Sequence, residues 1–201
     1  MLKFIAEKLS LKLVTNNIID PDKKKYYTYG LELVLNDTMI FLMIGIIAII
    51  TNTVLISFIF SISFCFLRAF TGGYHSKSYL GCFCTAFINY ICMLILTNLI
   101  FNRNHMILEY IMMFASIPVI LKLSPVENFN SPLDVNEKKK YRKISYLLIS
   151  LYLLIFIIDI TFFHSKFSVV IAWSVFSTAA LMLFSIILQE KEMKLHERKS
   201  S

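Results

Sequence analysis

Between Arg68 and Cys84 the chain reads RAFTGGYHSKSYLGCFC, an arginine, two glycines, an imidazole and two thiols in one short stretch. A thiol attacks only as thiolate, and a neighbouring imidazole lowers its pKa and shuttles the proton. His75 and Cys82 are therefore the natural pair for nucleophilic catalysis. Seven residues separate them, which a straight helix turns into about 10.5 Å of rise, too far for a hydrogen bond of roughly 3 Å. The pair works only if the chain folds back, and Gly72 and Gly73 supply that freedom. The expectation is a non-helical turn over 70–77, with Gly72 or Gly73 in a backbone conformation costly for other residues. His75 then folds to within about 5 Å of the sulfur, or it reaches Cys82 from a second subunit. The plainer alternative is an interfacial loop with a chance histidine and a structural cysteine.

The two thiols differ by helical geometry. Two residues along a helix is about 200° around it. Cys82 shares a face with Ser78, Thr85 and Asn89, and Cys84 shares one with Leu80, Phe87 and Ile91. Cys82 is expected to face the protein or a wet cavity, and Cys84 lipid. Cys92 lies deeper in the same segment, and Cys65 has only Ser61 and Arg68 as polar neighbours. Candidates for a third group orienting His75 are Asn89, Ser76, Ser78, Glu127 and Asp134. Arg68, Asn89 and Ser78 are candidates for substrate binding or an oxyanion site. For Arg68 the competing role is an anchor that snorkels to the membrane surface. Glu109 and Asp159 fall near the ends of apolar segments, where solvated anchors are expected.

These residues must be positioned by membrane helices. Of 201 residues 57% are hydrophobic and only 16% charged, and the mean hydropathy is +0.69. A soluble domain is nearer half apolar and a quarter charged. A span needs roughly 20 mostly apolar residues, and the pattern predicts six helices near 34–51, 53–68, 79–101, 106–122, 144–162 and 168–188. The first two divide the charge-free run 38–67 at TNT (51–53). Residues 1–33 form a cytoplasmic or interfacial segment, in which Leu2, Ile5, Leu9, Leu13 and Val14 recur at helical spacing between lysines. That suits a helix on an anionic membrane face or one packed on the rest of the protein. Lys8 and Lys12 break any signal-peptide core.

With the N-terminus inside, the segments 1–33, 68–78, 122–143 and 189–201 carry 6, 2, 6 and 4 of the 20 Lys and Arg. Basic residues favour the cytoplasmic side, so this expectation is an all-α membrane protein, one domain over 1–201, with both termini and the 68–84 segment cytoplasmic. Disulfides do not suit a reducing compartment. No ligand spacing suggests zinc, no Gly-Lys-Ser phosphate loop occurs, and no cofactor or nucleic-acid partner is expected.

The segment with Arg68, Gly72, Gly73, His75 and Cys82 resembles the active-site region of the accessory gene regulator B (AgrB) family, membrane endopeptidases that process quorum-sensing pro-peptides in Gram-positive bacteria. SPVENFNSP (124–132) and the basic residues after it resemble the family's proline-containing cytoplasmic loop; size and span number fit over nearly the whole chain. Cys84 is outside the pattern. The resemblance implies a cysteine endopeptidase in which Cys82 forms an acyl-enzyme thioester and His75 moves the proton. A cysteine or serine of the precursor then attacks the thioester and releases a thiolactone or lactone without ATP. The implied partners are an AgrD-type precursor, amphipathic with an acidic C-terminal part, the lipid membrane and a second copy in a homodimer. The competing class is a small peptide exporter or permease. It would need polar residues along several spans, whereas spans one, two and six are read as carrying almost none.

Overall fold

The charge-free run 38–67 is too long for one upright helix, and three polar residues divide it. In the computed structural model, which describes residues 2–73, 79–103, 106–126 and 134–200, helix α2 (Lys24–Ile50) ends and helix α3 (Val54–Thr71) begins at this point. Asn52 takes a left-handed φ of 54°, which asparagine tolerates better than other side-chain residues. The amides of Thr51 and Thr53 bond back to Ile47 and Ala48 at 2.9 Å, and the two threonine hydroxyls meet at 2.7 Å. The turn thus satisfies its own polar groups.

Five further helices complete the described chain: α1 (Leu2–Thr15), α4 (Tyr79–Arg103), α5 (Met106–Leu123), α6 (Val135–Ile158) and α7 (Lys166–Ser200). Among the described residues there is no strand. Five helical segments are long and apolar enough to cross a membrane: Pro21–Ile50, Val54–Thr71, Leu80–Phe101, Val135–Phe163 and Lys166–Lys191. The remaining expected span, 106–122, is helix α5, which is not among the five; it carries Glu109 and Lys122 and has Pro118 inside it.

Helix α7 is the axis of the bundle. More than half of its apolar window is buried, against 17% to 39% in the other four candidates, and it packs on α3, α4, α5 and α6. One core joins Leu67, Met113, Phe156, Val175 and Met182, and a second joins Phe60, Tyr90, Met93 and Val170. Outward side chains such as Ile50, Phe58, Leu147 and Phe162 remain exposed, as expected where lipid rather than water covers the surface.

The structure moves several expected boundaries. Helix α2 starts at Lys24, not near 34, because its first turns pack on α1. There Thr28 donates to the Ser10 hydroxyl at 2.7 Å. The face of α1 turned inward is made of Ala6 and Ser10, both 0% exposed, while Phe4, Leu9 and Leu11 face outward. Small side chains allow the two helices to approach closely, so packing uses them and leaves the large apolar residues outside. Helix α6 begins at Val135, which places Lys138, Lys139, Lys140, Arg142 and Lys143 on its exposed first turns. The Asp134 amide donates to Glu137 at 3.2 Å and closes the start of that helix. No break occurs at 188, and the α7 backbone continues to Ser200.

The spans are also less bare than expected. Ser57, Ser61 and Ser63 of α3 and Ser174, Ser177, Thr178 and Ser185 of α7 are buried. Ser57, Ser61, Ser174 and Thr178 each bond a carbonyl four residues back in their own helix. A hydroxyl satisfied in this way by its own backbone can pack inside a bundle without lining an aqueous path. Two tyrosines add cross-links, Tyr90 to the Ser57 hydroxyl at 2.7 Å and Tyr152 to the Ser63 carbonyl at 3.0 Å.

Candidate thiol site at the break between α3 and α4

Helix α3 stops at Thr71 because Gly72 turns to φ 71° and Gly73 to φ 138°, conformations that side-chain residues rarely adopt. The glycines do more than loosen the chain. The Val126 amide donates to the Thr71 carbonyl at 2.9 Å, and Gly72 forms an isolated bridge with Val126. A Cβ on Gly72 would collide with the Val126 carbonyl. One on Gly73 would lie 3.7 Å from the Met182 amide nitrogen of α7. The end of α3 is therefore clamped between the segment following α5 and the axial helix. A helix running unbroken from Gly72 to Cys82 is ruled out at its first residues.

Cys82 lies in the first turn of α4 and is half-buried, whereas Cys84, on the opposite side, is exposed. Cys92 is half-buried, Cys65 is exposed, and all four cysteines are free thiols. Arg68, one turn before the end of α3, lies within electrostatic reach of Cys82, Cys65 and Asp37, with Cys82 the strongest of the three. Its guanidinium sits 5.6 Å from the Phe64 ring centre, a cation–π arrangement that holds a charge at the edge of an apolar layer. Asn89 continues the stripe of Cys82 and Thr85 but is already engaged. Its Oδ1 and its carbonyl oxygen accept from Trp173 Nε1 at 3.0 and 3.2 Å, which ties α4 to α7.

His75, Ser76, Ser78 and Glu127 lie outside the described residues. Asp134 caps the start of α6. Sequence reasoning missed two contributors, Asp37 and Val126. For Asp37 a signal was available: Asp37 and Arg68 bracket the charge-free run at nearly equal distances from the turn at Asn52. An antiparallel pair of helices folded at that turn brings its two ends to one level. Nothing in the sequence around Val126 marks it as the partner of Gly72. The basic turns of α6 lie close by, since Tyr141 packs edge-on to Phe70 at 5.8 Å and α6 packs on α3. Among the described residues no group of three His, Cys, Asp or Glu side chains is placed to hold a metal ion.

Glu109 and Asp159 are not solvated anchors. They are 4% and 6% exposed. Both belong to the other end of the bundle: Glu109 opens α5 just after α4 ends, and Asp159 follows the end of α6.

A bundle of long apolar helices around one buried axis, with an arginine and a thiol within electrostatic reach at a helix break, defines a helical multi-pass membrane protein. Residues 6–187 match the family model described as accessory gene regulator B, and the chain belongs to that AgrB family. An AgrB-like protein of Clostridium perfringens (strain SM101 / Type A) is 28% identical over 187 residues, covering 90% of this chain and 83% of the relative. A second, AgrB-like protein 2 of Clostridium perfringens (strain 13 / Type A), is 26% identical over 170 residues, covering 82% of this chain and 78% of the relative. No solved structure matches the chain. Family membership ties the protein to the agr quorum-sensing system and to a precursor of the AgrD type.

Proposed function

We propose that the chain is a cysteine endopeptidase that cleaves an AgrD-type precursor and closes its signal segment into a thiolactone or lactone. The observation that carries this reading is the position of Cys82. It sits on the half-buried side of α4, at the break after α3, with Arg68 its electrostatic neighbour. Cys82 attacks the scissile carbonyl and forms a thioester as the downstream peptide leaves. His75 takes the thiol proton and returns it to the leaving amine. A cysteine or serine within the acylated segment then attacks the thioester, and Cys82 departs as thiolate. In this reading Arg68 meets negative charge at this atom, in the thiolate or in the oxyanion. The exposed lysines at the start of α6 supply attraction for an acidic precursor segment. In the same reading α5 is a sixth crossing, and 18 of the 20 basic residues lie on the cytoplasmic face.

The test is processing of a co-expressed precursor, followed by mass spectrometry. Cys82→Ala and His75→Ala are each expected to abolish cleavage while membrane insertion stays normal. Wild-type processing by either variant would overturn the peptidase reading.

A further inference from the structure

Helix α1 packs on α2 through Ala6 and Ser10, and its Phe4 and Leu11 are turned away, 66% and 49% exposed. Leaving such side chains in water forgoes the stabilisation that burying them gives. Lys8 lies one turn after Phe4 on the same side of the helix, with its Nζ 5.9 Å from the centre of the Phe4 ring. Between this side of α1 and the first turns of α2 is a cavity of about 900 Å³. Its lining sets Phe4, Leu11 and Tyr29 beside Lys3, Lys8, Lys24 and Lys25. Glu7, Asp22 and Glu32 share it, four positive charges against three negative. Among the described residues, none of these four lysines forms an ion pair.

The bilayer sets the depth of this cavity. A hydrocarbon core is about 30 Å thick, and a helix rises about 1.5 Å per residue. Counted back from the turn at Asn52, an upright α2 leaves the core about 20 residues earlier, near Glu32. Exposed Leu33 and Val34 fall just inside that edge, and exposed Tyr26, Tyr27 and Tyr29 just outside it, the level that interfacial tyrosines favour. Thr28, at the same level, meets Ser10 of α1. Helix α1 turns back along α2 after the connection at 16–23, so Phe4 lies toward the hydrocarbon. Lys8, Lys24 and Lys25 lie toward the headgroups. One cavity thus has an apolar end and a cationic end, which suits an amphiphile with a negative head.

We propose that the α1–α2 hairpin binds an anionic phospholipid of the adjoining leaflet. The acyl chain lies along Phe4, and the phosphate lies among Lys8, Lys24 and Lys25. A zwitterionic lipid offers the same apolar contact but brings its own cation to the lysines, so the site selects heads of net negative charge. The bound lipid covers the side of α1 that α2 leaves uncovered. Neither Cys82 nor His75 takes part, so the site stands or falls apart from the peptidase reading.

The test is fluorescence quenching of the whole protein in liposomes, with Phe4→Trp as the probe and the wild-type emission of Trp173 subtracted. Brominated phosphatidylglycerol should quench the added emission several-fold more than brominated phosphatidylcholine at the same mole fraction. Raising the salt concentration should erase the difference, since screening weakens the contact of phosphate with lysine. Replacing Lys8, Lys24 and Lys25 together by Gln should leave the two lipids equal as quenchers. The comparison of lipids in Phe4→Trp needs no lysine variant, so a failure of the triple variant to assemble leaves the test intact. Equal quenching by both lipids at low salt, or a preference that survives in the triple variant, would overturn the proposal. So would emission quenched by neither lipid, since water or a second copy of the chain would then cover Phe4. Loss of the preference to inorganic phosphate, but not to chloride of the same ionic strength, would assign the lysines to a free anion and overturn it as well.

Discussion

Gly72 and Val126 meet backbone to backbone, and no side chain fits between them. The contact fastens the end of α3 to the segment after α5. It therefore fixes where the chain leaves α3 on its way to Cys82. Gly72→Ala should suffer twice, from a φ of 71° and from collision with the Val126 carbonyl. Strain of this kind costs on the order of 1–3 kcal/mol. A lower unfolding temperature in detergent, together with reduced processing, is the expected result. Gly45 is the control, because its backbone is ordinary helix and an added Cβ would meet nothing within 4 Å. Gly45→Ala should be neutral or stabilise by about 0.5–1 kcal/mol.

Selectivity between the thiols follows from their faces. Cys84→Ala should process the precursor at close to the wild-type rate, because Cys84 is exposed and points about 200° around α4 from Cys82. Time courses for Cys82→Ala and Cys84→Ala, measured side by side, check this. Equal loss in both would show that the nucleophile is misassigned.

Arg68 separates an oxyanion role from that of a charge anchor. Removing one stabilising donor costs roughly 10²–10³ in rate, and Arg68→Gln should fall in that range. Arg68→Lys keeps the charge but loses the planar fork of donors. It should recover membrane insertion fully and cleavage only in part. Full activity in the lysine variant would assign Arg68 to anchoring alone.

The start of α6 should govern precursor capture. Replacing exposed Lys139, Lys140 and Lys143 together by Gln should raise KM with kcat little changed, for a precursor with an acidic C-terminal segment. The salt dependence of the wild-type rate should flatten in the same variant, since screening acts on the attraction that was removed. An unchanged KM at low salt would place the acidic segment elsewhere.

Trp173 tests the polar tie between α4 and α7. Trp173→Phe leaves the Oδ1 of Asn89 unpaired in addition to its Nδ2, which has no partner already. The expected loss is about 1–3 kcal/mol. Adding Asn89→Leu should recover part of it, because two apolar partners leave nothing unsatisfied. Thermal unfolding of the two single variants and the double variant decides the point.

Much of this protein is determined by local sequence. Charge-free runs dictate apolar helices, and three polar residues at 51–53 suffice to divide the longest of them, because Asn52 accepts the conformation a tight turn requires. Helical period alone tells Cys82 from Cys84. The motif from Arg68 to Cys82 suggests the AgrB family, and the match over residues 6–187 bears out the family. Tertiary structure decided what depends on which surface meets which. Ala6 and Ser10, not the large apolar residues of α1, make its contact with α2, because close approach of helices favours small side chains. Gly72 is held against Val126 by a pairing between distant segments that no local spacing encodes. Glu109 and Asp159 look like surface anchors when placed by their distance from span ends. They are buried because α7 packs on both α5 and α6, and the amides of Ser165 and Ser168 donate to Asp159. Hydropathy along a chain records how greasy each segment is; burial is set by the neighbour it meets, and only the folded bundle supplies the neighbour.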